Sequence, residues 1–345
     1  MGERGRPLIY WAAHAPAAHG GVLLSDRPVE STTSASPRPH VAGGGGDAGG
    51  DTSGGGRIIA LMNQKGGVGK TTTTVNVGAA LHRAGHRVLL IDLDPQAHLT
   101  LHLGVEPDGL ELSVYDLMTE EEVSAGQVVQ QVEEGLGLLP AEVNLAGIEG
   151  ELAERAAEGR AQRVLAEKTA DVVGQFDYVL LDCPPSLGLL TVNGLALARE
   201  VIVPMQAHFL ALQGLSKLLE TVRLVRDGIN PELTVAGVVL CMHEGQTVLA
   251  GEVKRDLAEF FEAHRGQTVP WRDAVVYEPA VRRNIKLAES PSFGQSIFAY
   301  AADSNGARDY AALAASIAEP TAAARSSAPT PNPALNPNPD LSPGS

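Results

Sequence analysis

The chain has 345 residues, with 26 basic and 41 acidic side chains and a formal net charge of −15. Hydrophobic residues make up 44% of the sequence, which is enough for a sizeable core and excludes a wholly disordered chain. Two cysteines cannot form a disulfide framework or a four-cysteine metal site within one chain, and they favour a reducing, cytoplasmic environment. The acidic balance argues against a general nucleic-acid coat protein, although it allows a local basic surface.

Composition divides the chain into three parts. Residues 1–56 hold 13 of the 38 glycines, and residues 320–345 hold seven prolines among Ala, Asn and Ser. We predict a disordered Gly/Pro/Ser-rich arm over 1–56 and a disordered Pro/Ala/Asn-rich tail over 320–345. No uncharged stretch reaches the roughly 20 apolar residues of a membrane helix, so no membrane contact is expected.

Apolar runs and helix-length segments alternate between residues 57 and 319. The first run, at 58–62, is followed by a glycine-rich loop and a helical stretch that reaches about Ala84. The later runs lie at 87–92, 176–182, 200–204 and 233–242. Continuous apolar strands joined by helices favour a parallel sheet that is covered on both faces. We therefore predict one α/β domain over 57–319, with a doubly wound, mostly parallel sheet and helices on both faces.

The strongest motif is the octapeptide between the first apolar run and the first helix. It reads Lys65-Gly66-Gly67-Val68-Gly69-Lys70-Thr71-Thr72. Glycines let consecutive backbone N–H groups turn inward around phosphate oxygens, and the helix N-terminus adds further donors. Lys70 can bridge the terminal phosphates of a bound nucleotide, and the Thr71 hydroxyl can bind Mg²⁺. The motif predicts the P-loop of an NTPase, with these eight residues as the nucleotide-binding set.

Acidic residues end two of the predicted strands. Asp182 closes the run at 176–182 and suits a Walker B carboxylate, which holds Mg²⁺ through water. Asp92 ends the run at 87–92 and Asp94 follows two residues later, and capping of the following turn is the alternative role for each of them. Phosphoryl transfer needs mainly charge stabilisation and an aligned nucleophile, so one carboxylate, lysines and a metal are sufficient.

The lysine at the start of the loop resembles the deviant Walker A family of dimerising ATPases. The resemblance implies that Lys65 reaches across a nucleotide sandwich dimer to the partner's phosphates, where extra cations reduce the repulsion between two triphosphates. It also implies that Asp94 positions or activates the attacking water. Lys65, Lys70 and Asp94 are therefore the expected catalytic residues, with ATP and Mg²⁺ as cofactors. A solvated loop lysine is the alternative for Lys65.

Five further segments narrow the resemblance to the ParA/Soj branch of partition ATPases. They lie at 88–97, 182–187, 191–195, 203–206 and 284–294. The resemblance implies an ATP-dependent homodimer that binds DNA non-specifically, associates with the nucleoid and drives chromosome or plasmid partition with a ParB-type centromere-binding protein. A nucleotide-switched scaffold that positions another cargo, of MinD-like or orphan ParA-like type, is the alternative.

Basic residues that could contact DNA lie in the second half of the domain. Residues 57–200 carry 10 basic and 21 acidic side chains, whereas residues 201–300 carry 10 and 11. The resemblance assigns DNA contact to Arg223, Arg283 and Lys286, and a solvated surface is the alternative for each. Gln246 stands where relatives commonly have an arginine that faces DNA, which weakens this expectation.

Three rival classes share the phosphate loop. A MinD-like regulator would carry a C-terminal amphipathic helix, which the proline-rich tail lacks. An iron–sulfur protein of the nitrogenase-reductase type would need two cluster cysteines per subunit, but Cys183 lies in the Walker B strand and Cys241 closes another predicted strand. A bacterial tyrosine kinase would show a terminal tyrosine cluster, and no tyrosine follows Tyr310. These observations favour the partition ATPase.

Overall fold

A computed structural model of the protein describes residues 56–153, 155, 159–208, 211–244 and 247–319. The strands are β1 (Arg57–Leu61), β2 (Val88–Asp92), β3 (Gln130–Glu133), β4 (Leu136–Leu139), β5 (Tyr178–Asp182), β6 (Glu200–Gln206), β7 (Thr234–Cys241) and β8 (Val275–Tyr277). The helices are α1 (Lys70–Arg83), α2 (His98–His102), α3 (Val114–Thr119), α4 (Ala125–Val128), α5 (Ile148–Glu151), α6 (Val164–Val173), α7 (Leu189–Leu197), α8 (Ala211–Gly228), α9 (Val248–His264), α10 (Ile285–Glu289), α11 (Ile297–Tyr300) and α12 (Asn305–Ala318). Short 3₁₀ turns lie at Pro107–Gly109, Val143–Gly147, Ala161–Arg163 and Ser290–Phe293.

The described strands form one sheet in the order β3-β4-β2-β5-β1-β6-β7-β8. Neighbouring strands are parallel except for β3 and β4, which form an antiparallel hairpin at one edge. The prediction of a doubly wound, mostly parallel sheet is confirmed. The five predicted apolar runs coincide with β1, β2, β5, β6 and β7, whereas the edge strands β3 and β8 and the neighbouring strand β4 were not predicted.

Helices cover both faces of the sheet because the strands are apolar on both sides. Ile59 and Leu61 of β1 belong to a core with α1 and α12, while Ile58 and Ala60 belong to a second core on the opposite face. Alternate side chains of a strand point to opposite faces, so a strand buried on both sides reads as a continuous apolar run. This explains why the central strands were visible in the sequence.

The central position of β1 brings the candidate site residues together. β1 lies between β5 and β6, and the register pairs Leu61 with Asp182 and Asp92 with Asp182. The carboxyl ends of β1, β2 and β5 are therefore level with one another. In open α/β sheets, ligands bind beyond the carboxyl ends of the strands, at the point where the connections from two neighbouring strands lead away in opposite directions.

Several expectations concern residues that the structure does not describe. The predicted arm over 1–56, apart from Gly56, and the predicted tail over 320–345 lie outside the described residues, as does Gln246. The limits of the predicted domain, 57–319, stay a prediction. Within the described part of the chain, no helix is long and apolar enough to cross a membrane.

Candidate functional site

The glycine-rich loop between β1 and α1 forms an open cradle. Gly67 and Gly69 have φ angles of 70° and 94°, in the left-handed region that favours glycine. A Cβ atom placed on Gly66 or Gly67 would meet no protein atom within 4 Å, so the space beside these residues is open. Val68, between the two strained positions, is buried and anchors the loop. The backbone N–H groups of such a loop are suited to phosphate oxygens.

Side chains from the end of β6 and from the loop itself hold the cradle in place. The Asn63 amide nitrogen donates to the Pro204 carbonyl at 2.8 Å, and its oxygen accepts from the Lys65 backbone N–H at 3.0 Å. The Gln206 amide donates to the Gly67 carbonyl at 3.0 Å. The loop is therefore bound along one side to the end of β6.

The two lysines of the motif face different surroundings. Lys70, the first residue of α1, is 7% exposed, and its ammonium lies 3.5 Å from the Lys65 carbonyl oxygen across the loop. Lys65 is exposed, and its ammonium lies 3.0 Å from Nε2 of His208, just beyond β6. The structure therefore places one cation within the cradle and the other at its outer side.

Thr71 and Asp182 meet at the start of α1. The Thr71 hydroxyl donates to Oδ2 of Asp182 at 2.6 Å, and the Thr74 hydroxyl donates to Oδ1 at 3.3 Å. A hydroxyl and a carboxylate next to an open phosphate cradle are oxygen donors suited to Mg²⁺, which completes its shell with water and substrate phosphates. The described residues contain no cluster of three or more His, Cys, Asp or Glu side chains that could hold a metal by itself. Such a donor set fits a metal that arrives with its nucleotide.

Burial and mutual repulsion govern the charge of the carboxylates at this edge. Burial, with repulsion from Asp92, raises the pKa of Asp182 to about 8, although the Thr71 hydroxyl and the Lys70 ammonium oppose this rise. Burial likewise raises the pKa of Asp92 to about 6, against hydrogen bonds from Thr100. A cation bound beside Asp182 would favour its ionised form, so the site is electrostatically suited to a metal ion.

Asp92 and Asp94 differ in their contacts. Asp92 is fully buried and accepts hydrogen bonds from the Asp94 N–H at 3.1 Å, the Thr100 N–H at 2.9 Å and the Thr100 hydroxyl at 2.8 Å. These contacts support the structural alternative for Asp92. Asp94 is half-buried, and its Oδ1 accepts from the Gln96 N–H at 3.1 Å. Its carboxylate therefore caps the turn and also reaches the edge of the site.

A cavity of about 430 Å³ adjoins the loop where β7 ends, and sequence reasoning did not find it. Gly69 and Thr72 line it on one side, and Cys241, Met242 and the 281–288 segment line the other. Its volume lies within the range of small-molecule sites. Nothing in the sequence motif marks it, because its walls come from distant segments and consist largely of apolar and backbone atoms. It is the candidate site for the nucleoside part of a nucleotide.

The three candidate DNA-contact residues are exposed, and each pairs with a carboxylate. Arg223 on α8 lies 2.7 Å from Glu220, and Lys286 on α10 lies 2.8 Å from Glu289. Arg283 lies 3.3 Å from Glu244. The structure places these cations on the surface but does not bring them into contact with the phosphate loop.

The two cysteines are buried and free. Burial raises the pKa of the Cys183 thiol far above its usual value and that of Cys241 to about 11. Both side chains are therefore neutral thiols at neutral pH. Cys183 is completely buried and packs as a small core residue.

Comparison with known proteins gives matches over most of the chain. A family model described as an AAA domain matches residues 56–235. The sporulation initiation inhibitor protein Soj of Bacillus subtilis is 42% identical over 262 residues, which cover 76% of this chain and 98% of that protein. The chromosome-partitioning ATPase Soj of Thermus thermophilus is 45% identical, with coverage of 74% and 93%. The chromosome partitioning protein ParA of Caulobacter vibrioides is 39% identical, with coverage of 74% and 92%.

Solved structures agree with this similarity. A crystal structure of cobyrinic acid a,c-diamide synthase from Mycobacterium smegmatis with bound ADP and magnesium is 38% identical, with a TM-score of 0.62 and coverage of 75% of this chain and 93% of that one. The septum site-determining protein MinD of Pyrococcus horikoshii, complexed with Mg-ADP, is 22% identical with a TM-score of 0.57 and coverage of 76% and 96%. The second similarity concerns the fold alone.

Proposed function

This chain belongs to the Soj/ParA family of partitioning ATPases, and we propose that it is an ATP-dependent dimer that binds DNA without sequence preference in chromosome or plasmid partition. The protein is an ATPase of the ParA type, with ATP and Mg²⁺ as its cofactors. The observation that carries the proposal is the outward position of Lys65. A second lysine at the rim of the loop is not needed to hold a nucleotide already contacted by Lys70, but it is available to a nucleotide on another subunit.

Nucleotide binding is proposed to use the whole cradle. The N–H groups of 66–72 surround the phosphates, Lys70 compensates their charge, and the cavity beside Thr72 and Cys241 takes the nucleoside. When bound, Mg²⁺ compensates the charge of the triphosphate. Thr71 and Asp182 are the residues that would hold it, with Asp182 acting through water. Asp94 is proposed to orient the attacking water, since its carboxylate lies at the same edge of the sheet as Asp182.

Nucleotide binding is proposed to bring two subunits together as a dimer. Each Lys65 is proposed to leave its own protomer and contact the partner's phosphates, which reduces the repulsion between the two nucleotides. Hydrolysis removes the γ-phosphate and with it the anion that would bind Lys65 of the other subunit. The dimer then separates.

DNA contact is proposed for Arg223, Arg283 and Lys286 on the dimer surface. Exposed ion pairs such as theirs contribute only about 0.2–1 kcal/mol each, so a DNA phosphate can exchange with the carboxylate. Contacts of this kind do not depend on the base sequence of the DNA, and they weaken as the salt concentration rises. They would place the protein on the nucleoid, while a ParB-type partner that stimulates hydrolysis is proposed from family membership.

The proposal is tested with a chain in which turnover is blocked. Asp94→Ala is expected to be a dimer in saturating ATP and magnesium by sedimentation velocity, and Asp94→Ala with Lys65→Ala is expected to be a monomer that still binds ATP. Asp94→Ala with Lys254→Ala is the matched control, because it removes a half-exposed lysine that pairs with Glu278. A monomeric Asp94→Ala chain, or dimers that survive the loss of Lys65, would contradict the proposal.

A second experiment separates partition from cargo positioning. Turnover is measured with and without DNA and a ParB-type protein. Strong joint stimulation supports partition, whereas indifference to both supports the scaffold alternative. The salt dependence of DNA binding adds a quantitative check, since each lost phosphate contact should reduce the slope of log K against log salt by about 0.9.

A further inference from the structure

Lys65 is held within its own protomer by a histidine. Its ammonium lies 3.0 Å from Nε2 of His208, in the segment that directly follows β6. Because Gln206 and Pro204 also bond to the loop, the backbone on which His208 stands runs alongside the loop. The contact therefore joins two segments that are already fixed relative to each other.

The chemistry of the pair determines where the proton lies. A lysine ammonium has three donors and no acceptor, so it can only donate to the ring. Nε2 of His208 must then present its lone pair, and Nδ1 carries the ring proton. Protonation of Nε2 would leave two cations at hydrogen-bond distance and remove the acceptor, so the contact exists only while His208 is neutral.

The surroundings of the ring favour this neutral form. His208 lines a cavity of about 370 Å³ whose charged lining residues, among those the structure describes, are Lys65 from the loop and Lys217 from α8. Burial, followed by the charge of Lys65, lowers the pKa of His208 below its ordinary value.

We propose that His208 is a positioning residue that retains Lys65 in the single subunit, and that protonation of its ring releases the lysine to the partner's nucleotide. The inference rests on the proposed ATP-dependent dimer. It adds that dimerisation competes with an internal hydrogen bond and is linked to proton uptake. The retained conformation keeps a solitary subunit from committing Lys65 to its own nucleotide.

The sign of the pH effect follows from linkage. In the single subunit Lys65 lowers the pKa of His208, and in the dimer this influence is absent because the lysine has moved away. His208 therefore binds a proton more tightly in the dimer. As the pH falls through the interval between the two pKa values, the dimer becomes more stable, by up to about tenfold in its dissociation constant per subunit for each pKa unit of difference.

The contact can be tested in the single subunit without nucleotide. The titration of His208 is followed by NMR in the full chain labelled with ¹⁵N-histidine, and His208→Gln identifies the signal. Lys65→Ala is expected to raise the pKa of His208, and Lys217→Ala, the matched control from the same cavity, is expected to raise it by less. An unchanged pKa in Lys65→Ala, or equal effects of the two variants, would overturn the proposal.

The consequence for pairing is tested in the Asp94→Ala chain with saturating ATP and magnesium. The dissociation constant of its dimer is expected to decrease as the pH falls from 8 to 5.5. Adding His208→Gln keeps an acceptor that cannot be protonated, so the dependence on this histidine should disappear. Adding His208→Ala removes the acceptor and should tighten the dimer at pH 8. A chain that also carries Lys65→Ala is expected to be monomeric, and adding His208→Ala to it should not restore the dimer; restored dimers would overturn the proposal.

The outcomes separate the two proposals. If the Asp94→Ala chain stays monomeric at every pH, the proposed dimer fails, while the NMR titration still decides whether Lys65 and His208 interact. If the dimer forms but His208→Gln retains the full pH dependence, the role of His208 is wrong and the proposed function stands.

Discussion

The hydroxyl of Thr100 connects the carboxylate of Asp92 to the chain beyond β4. It donates to Oδ2 of Asp92 at 2.8 Å and accepts from the Ala141 N–H at 3.0 Å, and all three residues are fully buried. Thr100→Val replaces this hydroxyl by a methyl group of similar size. Packing is therefore largely kept, and the change acts on the two hydrogen bonds.

The expected cost follows from those two bonds. The Ala141 N–H loses its partner in the protein interior, at about 1–3 kcal/mol, and Asp92 loses a donor worth about 1.5–3 kcal/mol if the carboxylate is charged. Because burial raises the pKa of Asp92 only to about 6, the carboxylate is mostly charged at pH 7.5 and both losses apply, so we expect a total of about 2.5–6 kcal/mol. Thr100→Ser keeps the hydroxyl and loses one buried methyl group, at about 1 kcal/mol.

The free energy of unfolding is measured by denaturant titration of both variants and the parent, without nucleotide. Turnover is measured in parallel, because Asp92 also holds the backbone of Asp94 and a weakened Asp92 should lower the rate in Thr100→Val more than in Thr100→Ser. A Thr100→Val chain within about 0.5 kcal/mol of the parent would refute the reasoning, as would equal costs for the two variants.

Two further predictions concern the metal site and acid stability. Thr71→Val, which removes the hydroxyl 2.6 Å from Asp182, should weaken magnesium-dependent ATP binding about tenfold or more, whereas Thr71→Ser should retain it. Equal ATP affinities of the two variants in a calorimetric titration would contradict this. Burial lowers the pKa of His102 to about 4, below the roughly 6.5 of the unfolded chain, so its contribution to stability is fully present above pH 6.5 and is lost as the pH falls towards 4. Between pH 7 and 4.5 the parent should therefore lose about 2–3 kcal/mol more unfolding free energy than His102→Gln, and identical losses would show that the histidine has the same pKa in the folded and unfolded states.

The parts of the fold that could be predicted are those whose signal lies within a few residues. β1 and β5 are buried on both faces, and their uninterrupted apolar runs are visible in the sequence. Lys70 and Thr71 follow from the glycine spacing, and the placement of Asp182 beside Thr71 follows because parallel strands end at one edge. The phosphate loop and the proposed metal-binding residues Thr71 and Asp182 could therefore be predicted from the sequence, since both depend on local pattern and strand direction alone.

The remaining features depend on distant contacts. The edge hairpin of β3 and β4 has four-residue strands, and the exposed alternate residues of β3 give a pattern too short to separate from a loop. Asp92 and Asp94 are equivalent candidates in the sequence, and only the position of Thr100, within α2, assigns the buried hydrogen bonds to Asp92. His208, whose ring contacts the Lys65 ammonium, lies 143 positions further along the chain, so no local motif could predict this contact.

The pairing of the candidate DNA-contact residues bears on how a nucleotide could control DNA binding. Arg223, Arg283 and Lys286 each lie beside a carboxylate, so one subunit offers no surplus of positive charge at these three points. Exchanging a carboxylate for a DNA phosphate then yields little free energy per contact, since an exposed pair in water is itself worth little. Linking two such surfaces in one dimer raises the effective concentration of the second set of contacts once the first has bound. Weak contacts in each subunit are therefore what the proposed switch requires, because cations that bound DNA strongly in a single subunit would keep it there after hydrolysis had separated the pair.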